Sequence, residues 1–400
     1  MSASSKSNPK SFREAFLITF LVLALGIVVE LIMHGAPVEI PAFPYNLALI
    51  LLFFFYPLLA KLLLGKKIVE KLSSIPLTIA SITIYTVLVI AMGSFMQDNP
   101  NPASWEQNLG LSHIARTWYF LFVSILMMTV LGFTILKRFH HLKNIRNIAF
   151  LLNHLGIWIV IAAASLGTGD LQRIKLVVTT EQANHLGLNT KTNGIVPLSF
   201  SVRLDSFLLK EYQPTLAFVN PSTKELITEF SSYKEGDTLH FNGWNITVMK
   251  TYDKSVLNGS EYQPSSEIGA VHSILLDIKK DTRHIRQWIA APEMEKKGNL
   301  LSLNMKEGLA LLPAEVKQYQ SKITILDNHK PPLHTLVSVN HPFHYAGWDI
   351  YQFDYEQTKG RWSSYSVLEL VHDPWLIPVY IGIFMLLAGA MLLLWFGKFK

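Results

Sequence analysis

Apolar residues along the 400-residue chain follow two different patterns. Up to residue 167, and again at the C-terminus, they form runs close to the roughly 20 residues needed to cross the hydrocarbon layer of a bilayer. These runs predict membrane spans over 15–33, 46–64, 76–96, 118–136, 148–167 and 375–396. Between residues 170 and 373 the pattern changes to alternation. Leu198, Phe200, Val202 and Leu204 fall on one face of an extended segment, and Ser199, Ser201 and Arg203 on the other, as a strand with one buried face requires. Over 238–252 the pair Asn242-Gly243 supplies the positive φ angles of a type I′ turn, which predicts a hairpin. Further strands are expected over 273–280, 322–327 and 334–340, and a short helix over 313–319. The fold expected is therefore an integral membrane α-helical region with six spans plus a large extracytoplasmic, mostly-β domain. The divisions are 1–168 (five spans), 169–373 (β-rich domain) and 374–400 (last span and a short cytoplasmic tail).

Composition agrees with this division and charge orients it. Half of all residues are hydrophobic and only 16% are charged, with a mean hydropathy of +0.28, which sets the chain apart from ordinary soluble enzymes. The net charge of +6 comes with basic residues clustered beside apolar runs: Lys6, Lys10 and Arg13; Lys61, Lys66, Lys67 and Lys71; Lys137, Arg138, Lys143 and Arg146; Lys398 and Lys400. The alternate loops lack this excess, for 35–44 holds Glu39 without Lys or Arg, and 97–117 sets Asp98 and Glu106 against Arg116. The positive-inside rule then places both termini in the cytoplasm and 170–373 outside. It also accounts for the basic balance without nucleic acid. The first apolar run has no small-residue cleavage site and reads as a retained anchor. With no cysteine in the chain, disulfides and thiolate ligands are excluded, and any thiol chemistry falls to a partner. Phosphate loops, GxGxxG, HExxH and GxSxG motifs do not occur.

Histidine is the residue type that suggests chemistry. His154 lies about seven residues into the fifth span, or roughly 10 Å deep at about 1.5 Å per residue, where an ionisable side chain is costly without a partner. A neutral imidazole there could ligate heme iron, relay protons or bond to a neighbouring helix. Gly156, Ser165 and Gly167 on the same run would let a second helix approach closely. His113 and His34 stand at outer span ends, where an interfacial role is the plainer reading. His140 and His141 sit among cytoplasmic bases suited to lipid headgroups or heme propionates. His341 and His344 flank a strand entry behind Pro342, which argues against a shared metal site. Glu30, near the outer end of its span, is expected to reach the interface. The heptapeptides 240–246 (HFNGWNI) and 344–350 (HYAGWDI) echo each other, either as two hairpins that met the same need, the favoured reading, or as a duplicated β unit.

Several of these stretches together carry a family resemblance: LSSIPLTIASITIYTVLVIAMGSF, a tryptophan-led span ending in Lys-Arg, the His-Leu-Gly span ending in Gly-Thr-Gly-Asp, and VNHPFHYAGWDIYQFDYEQ followed by Asp373-Pro374 and the final span. From about residue 69 onward the chain resembles the ResB (CcsB) family of System II cytochrome c biogenesis proteins, most specifically over 340–352. The resemblance implies a subunit that works with a CcsA/ResC-type partner to move heme b across a bacterial inner membrane and present it to apocytochrome c, with thioredoxin-like reductants keeping the apocytochrome thiols reduced. It implies that one histidine of this chain ligates a transmembrane heme, a role that goes to His154, with His113 in reserve. The partner's tryptophan-rich motif is not found here, so the chain would be the partner-dependent half of a synthase and no enzyme alone. The first two spans are an addition to the family plan. A membrane scaffold whose β domain organises a respiratory or transport complex is the alternative, whereas an ion pathway would need more intramembrane acids than Glu30.

Overall fold

The computed structural model describes residues 9–63, 66–139, 144–294, 296–328 and 330–396. His140 and His141, and the terminal lysines, lie outside these residues. The chain divides into two compact units, Met1–Leu171 with Asp373–Lys400, and Gln172–His372.

The first unit is helical. Its main helices are α1 (Pro9–Ile32), α2 (Tyr45–Leu63), α3 (Lys66–Leu72), α4 (Ile75–Ser94), α5 (Ser104–Asn108), α6 (Trp118–Arg138), α7 (Ile145–Leu166) and α8 (Leu376–Phe396). Among the described residues five stretches, Ser11–Ile32, Ile75–Ser94, Ser104–Arg138, Ile145–Gly169 and Leu376–Phe396, are long and apolar enough to cross a membrane. The remaining expected span, 46–64, corresponds to α2, which carries Pro57 and whose apolar part, Tyr45–Lys61, is shorter. Helix α6 begins where Thr117 accepts from the Phe120 N–H, capping an otherwise orphaned donor, and ends on Lys137 and Arg138, cations suited to a helix C-terminus. Helix α7 is capped by Asn144, which accepts from the Arg146 N–H at 3.0 Å. Met127, Met128 and Leu131 of α6 pack with Leu151, Trp158 and Ile161 of α7 in a buried cluster. Helix α8 meets α7 backbone to backbone. A Cβ on Gly156 would lie 2.6 Å from the Gly382 carbonyl oxygen, and one on Gly382 would lie 2.8 Å from that of Gly156.

The second unit is all antiparallel β. Its largest sheet has eight strands, comprising β1 (Gln172–Thr179), β2 (Asn184–Asn189), β3 (Ile195–Glu211), β13 (Val316–Asp327), β14 (Lys330–Ser338), β15 (Phe343–Tyr345), β16 (Trp348–Tyr355) and β17 (Tyr365–His372). Their order is β14-β13-β3-β2-β1-β17-β16-β15. The alternation read from the sequence holds in β3, where Leu198, Phe200, Val202 and Leu204 are buried in the core of this sheet with Ile174, Leu176, Ile323 and Leu370. A second core lies between two smaller sheets. The five-stranded one orders β10 (Arg283–Ala290), β9 (Val271–Lys280), β7 (Trp244–Asn258) and β6 (Thr238–Phe241), with β8 (Glu261–Pro264) paired to β7. The four-stranded one orders β11 (Leu301–Ser302), β12 (Gly308–Leu311), β4 (Leu216–Val219) and β5 (Leu226–Phe230). Trp244, Ile246, Leu276 and Ile278 from one sheet meet Phe218, Leu309 and Leu311 from the other.

The helix expected over 313–319 is not formed. Residues from Val316 onward enter β13, with Val316 opposite Glu211 and Tyr319 opposite Leu209 of β3. The helix-favouring run Ala-Glu-Val-Lys-Gln yields to pairing with a long neighbouring strand, a tertiary override of a local preference.

Candidate functional site

His154 sits in the third turn of α7, and its environment is set by the residue one turn before it. Its Nδ1 lies 2.8 Å from the Phe150 carbonyl oxygen. A carbonyl only accepts, so Nδ1 carries the proton and Nε2 keeps its lone pair. The imidazole stacks on the Phe150 ring, with centroids 3.7 Å apart and planes at 22°. The Arg138 guanidinium, in the last turn of α6, lies 4.9 Å from the centroid of that same ring. One turn beyond His154, the Trp158 indole donates to the Met128 carbonyl at 3.1 Å and meets Phe54 of α2 edge-on at 5.3 Å. Positions 150, 154 and 158 thus make one aromatic stripe along α7, with a cation beside Phe150.

This arrangement fits a single axial ligand to heme iron. Metal-bound histidines characteristically donate their other ring N–H to a carbonyl or carboxylate, which fixes the tautomer and the ring plane, and the Phe150 carbonyl meets that requirement. Among the described residues no group of three or more His, Cys, Asp or Glu side chains could hold a metal ion.

The structure does not bring His113 to His154. His113 lies in a 3-10 segment, Leu111–Arg116, just before α6, with its Nδ1 3.2 Å from Ser112 Oγ and the Gly35 backbone as a polar neighbour. His154 sits beside the opposite end of α6, between the contacts to Met128 and Arg138.

Glu30 departs from expectation. It is fully buried, and its Oε2 accepts from the Trp118 N–H at 2.8 Å. This bond satisfies one of the orphan N–H donors at the start of α6 and so ties α1 to it. Sequence reasoning also passed over Asp170, whose carboxylate accepts from the Phe43 N–H, Asn46 Nδ2 and Trp375 Nε1, each at 2.7 Å. It gathers the start of α2, the end of α7 and the approach to α8. The one signal for it was an acid directly after a Gly-Thr-Gly helix end.

In the β unit the echoed heptapeptides form equivalent hairpins. Asn242 and Gly243 have φ of 45° and 79°, and Ala346 and Gly347 have 49° and 83°. In each, the first histidine reaches across the ladder, His240 Nδ1 to Asn245 Oδ1 at 2.6 Å and His344 Nδ1 to Asp349 Oδ1 at 2.9 Å. They belong to different sheets, β6–β7 to the five-stranded and β15–β16 to the eight-stranded one. Elsewhere in the unit, Arg361 pairs with Glu211 and lies 3.8 Å from Glu293, all three largely buried. Burial pushes the Glu293 carboxyl up, against the pull of Arg361.

Residues 309–364 carry β13 to β16 and the Arg361 contacts, and this is where comparison with known families finds a match. A ResB-like domain is present over 309–364. The ResB-like segment contains the 340–352 stretch and covers a minor part of the 400-residue chain, with none of the helices. No curated protein matches the chain.

Proposed function

We propose that this protein is a heme-handling subunit of a System II cytochrome c maturation complex in a bacterial inner membrane. With a CcsA/ResC-type partner, it moves heme b outward and presents it with apocytochrome c, while thioredoxin-like proteins hold the apocytochrome thiols reduced. Both termini are cytoplasmic and the β unit faces outward, the orientation favoured by the basic clusters at Lys61, Lys71, Lys137, Arg138 and Arg146. The observation that carries the reading is the Nδ1 contact of His154 with the Phe150 carbonyl, which leaves Nε2 available in an apolar helix. The ResB-like segment over 309–364 supports it independently.

Heme is cargo here. It supplies the iron that an axial ligand can hold and the periphery that is joined to the apocytochrome. His154 would hold the iron from this chain's side through Nε2, with a further ligand supplied by the partner. Phe150 fixes the imidazole plane, and the apolar α6–α7 packing around Met128, Leu131 and Trp158 excludes water.

The test is the absorption spectrum of the chain copurified with its CcsA-type partner. A Soret band that disappears in His154→Ala and returns with added imidazole is the expected result. Full heme content together with normal cytochrome c maturation in that variant would refute the assignment.

A further inference from the structure

The guanidinium of Arg138 and the imidazole of His154 are held by the same aromatic ring. Phe150 presents one neighbour at 3.7 Å and the other at 4.9 Å from its centroid, and its carbonyl orients the imidazole. Arg138 is exposed and pairs with no carboxylate among the described residues. Its described neighbours in charge on α6 and α7 are Lys137 and Arg146, and neither helix carries an acid. Arg146 directs its Nε to the Phe396 carbonyl at 3.0 Å, which leaves Arg138 as the cation on the aromatic stripe. A guanidinium with unused fork donors, fixed by cation–π contact beside a ligand-bearing imidazole, is built to take a carboxylate at a set distance from that imidazole.

We infer that Arg138 is a carboxylate anchor for the ligand of His154, so that a planar macrocycle bound there places its acid edge at the Arg138 end of α6 and its apolar edge away from it, further along α7. This inference rests on the heme reading and adds to it the orientation of the ligand. Phe150 is then a positioning residue for both contacts. A lipid headgroup phosphate is the other anion within reach of such a cation, and the test separates the two.

Full-length protein in phosphatidylcholine nanodiscs, without added imidazole, is titrated with hemin and with hemin dimethyl ester, following the Soret band. The wild type is expected to bind the diacid about tenfold more tightly than the diester, as one charge-assisted pair implies. Arg138→Gln should lose that preference while keeping its diester affinity and its Soret position, and Arg138→Lys should fall between. Phe150→Leu, which keeps the carbonyl but removes the ring, should reduce the preference with ligation intact. Equal binding of diacid and diester by the wild type, or a preference that survives Arg138→Gln, overturns the anchor. A preference present in phosphatidylcholine alone but abolished when anionic lipid replaces part of it assigns Arg138 to lipid instead. If His154→Ala titrates like the wild type in both arms, the heme reading itself fails, an outcome distinct from loss of the diacid preference alone.

Discussion

At the scale of single residues, packing decides what each ionisable group can do. Phe150 leaves His154 a lone pair by taking up its N–H, and the Trp118 N–H holds Glu30 inside the helical unit. His272 in β9 is the corresponding case in the β unit. Only 5% exposed, it has Nε2 at 3.5 Å from Tyr233 Oη and 3.4 Å from Thr251 Oγ1, and Nδ1 at 3.6 Å from the exposed carboxylate of Asp253. Burial, helped by the charge of Arg361 and opposed by that of Asp253, depresses its pKa from 6.5 to about 4. The unfolded chain therefore binds a proton below pH 6.5 that the folded one refuses until about pH 4. Stability from this group is complete above pH 6.5, falls as the pH drops towards 4, and levels off below that. The full difference is on the order of 3 kcal/mol. Thermal unfolding of the β unit between pH 7.5 and 4 should show this leg, and His272→Gln should flatten it whatever its offset at neutral pH. A leg of the same size in the variant would place the proton uptake elsewhere. His154 was conspicuous in the sequence because hydropathy sets off an imidazole inside an apolar run. The burial of Glu30 and the three contacts of Asp170 were not, since their partners lie 88 to 205 positions away and the chain gives no local sign of them.

At the scale of elements, small residues govern how closely helices approach, and their effect depends on what stands opposite. Gly156 was readable as a place for close approach, but its partner in α8 was not. The structure pairs it with Gly382 and with Leu386, whose backbone nitrogen would lie 2.8 Å from a Cβ added at Gly156. The Asn153 amide adds a longer contact to the Leu386 carbonyl at 3.4 Å. Because the obstructing atoms at Gly156 are backbone, Gly156→Ala must push α8 outward, at a cost of about 1–3 kcal/mol for overpacking. Gly93 in α4 is the control, since nothing stands within 4 Å of its Cβ position. Gly93→Ala is expected to be neutral or stabilising by roughly 0.5–1 kcal/mol, through the lost backbone freedom of glycine. Thermal melts of both variants in one detergent test the contrast, and an equal shift in the two would mean that α7–α8 contact is not tight. Strands were read best where a buried face imposes alternation, as in β3, and worst at the entry to β13. There Lys317, Gln318 and Gln320 carry no period-two signal, and only the register against β3 makes them strand.

At the scale of the whole molecule, the chain leaves the helical unit once and returns to it once, and the β unit is closed where it does so. Gln172 pairs with His372 as the first step of an unbroken ladder that runs to Thr179 opposite Tyr365. The first and last strands of Gln172–His372 are therefore neighbours, and both of its cores are built from its own residues. A shift from runs to alternation marked this region in the sequence near residues 169 and 373. The pairing that brings its two ends together could not be read there, because β1 and β17 stand at opposite ends of the unit's sequence and their match is one of shape and register. Units with their own cores and adjacent termini commonly fold alone. Residues 172–372 expressed without the helices should therefore give a soluble β protein with one cooperative thermal transition, dispersed amide resonances and the same acid leg from His272. A product with strand-like far-ultraviolet signal, strong dye binding and no cooperative melt would mean that the helical unit supplies part of the β unit's stability, and that the two cores are not sufficient by themselves.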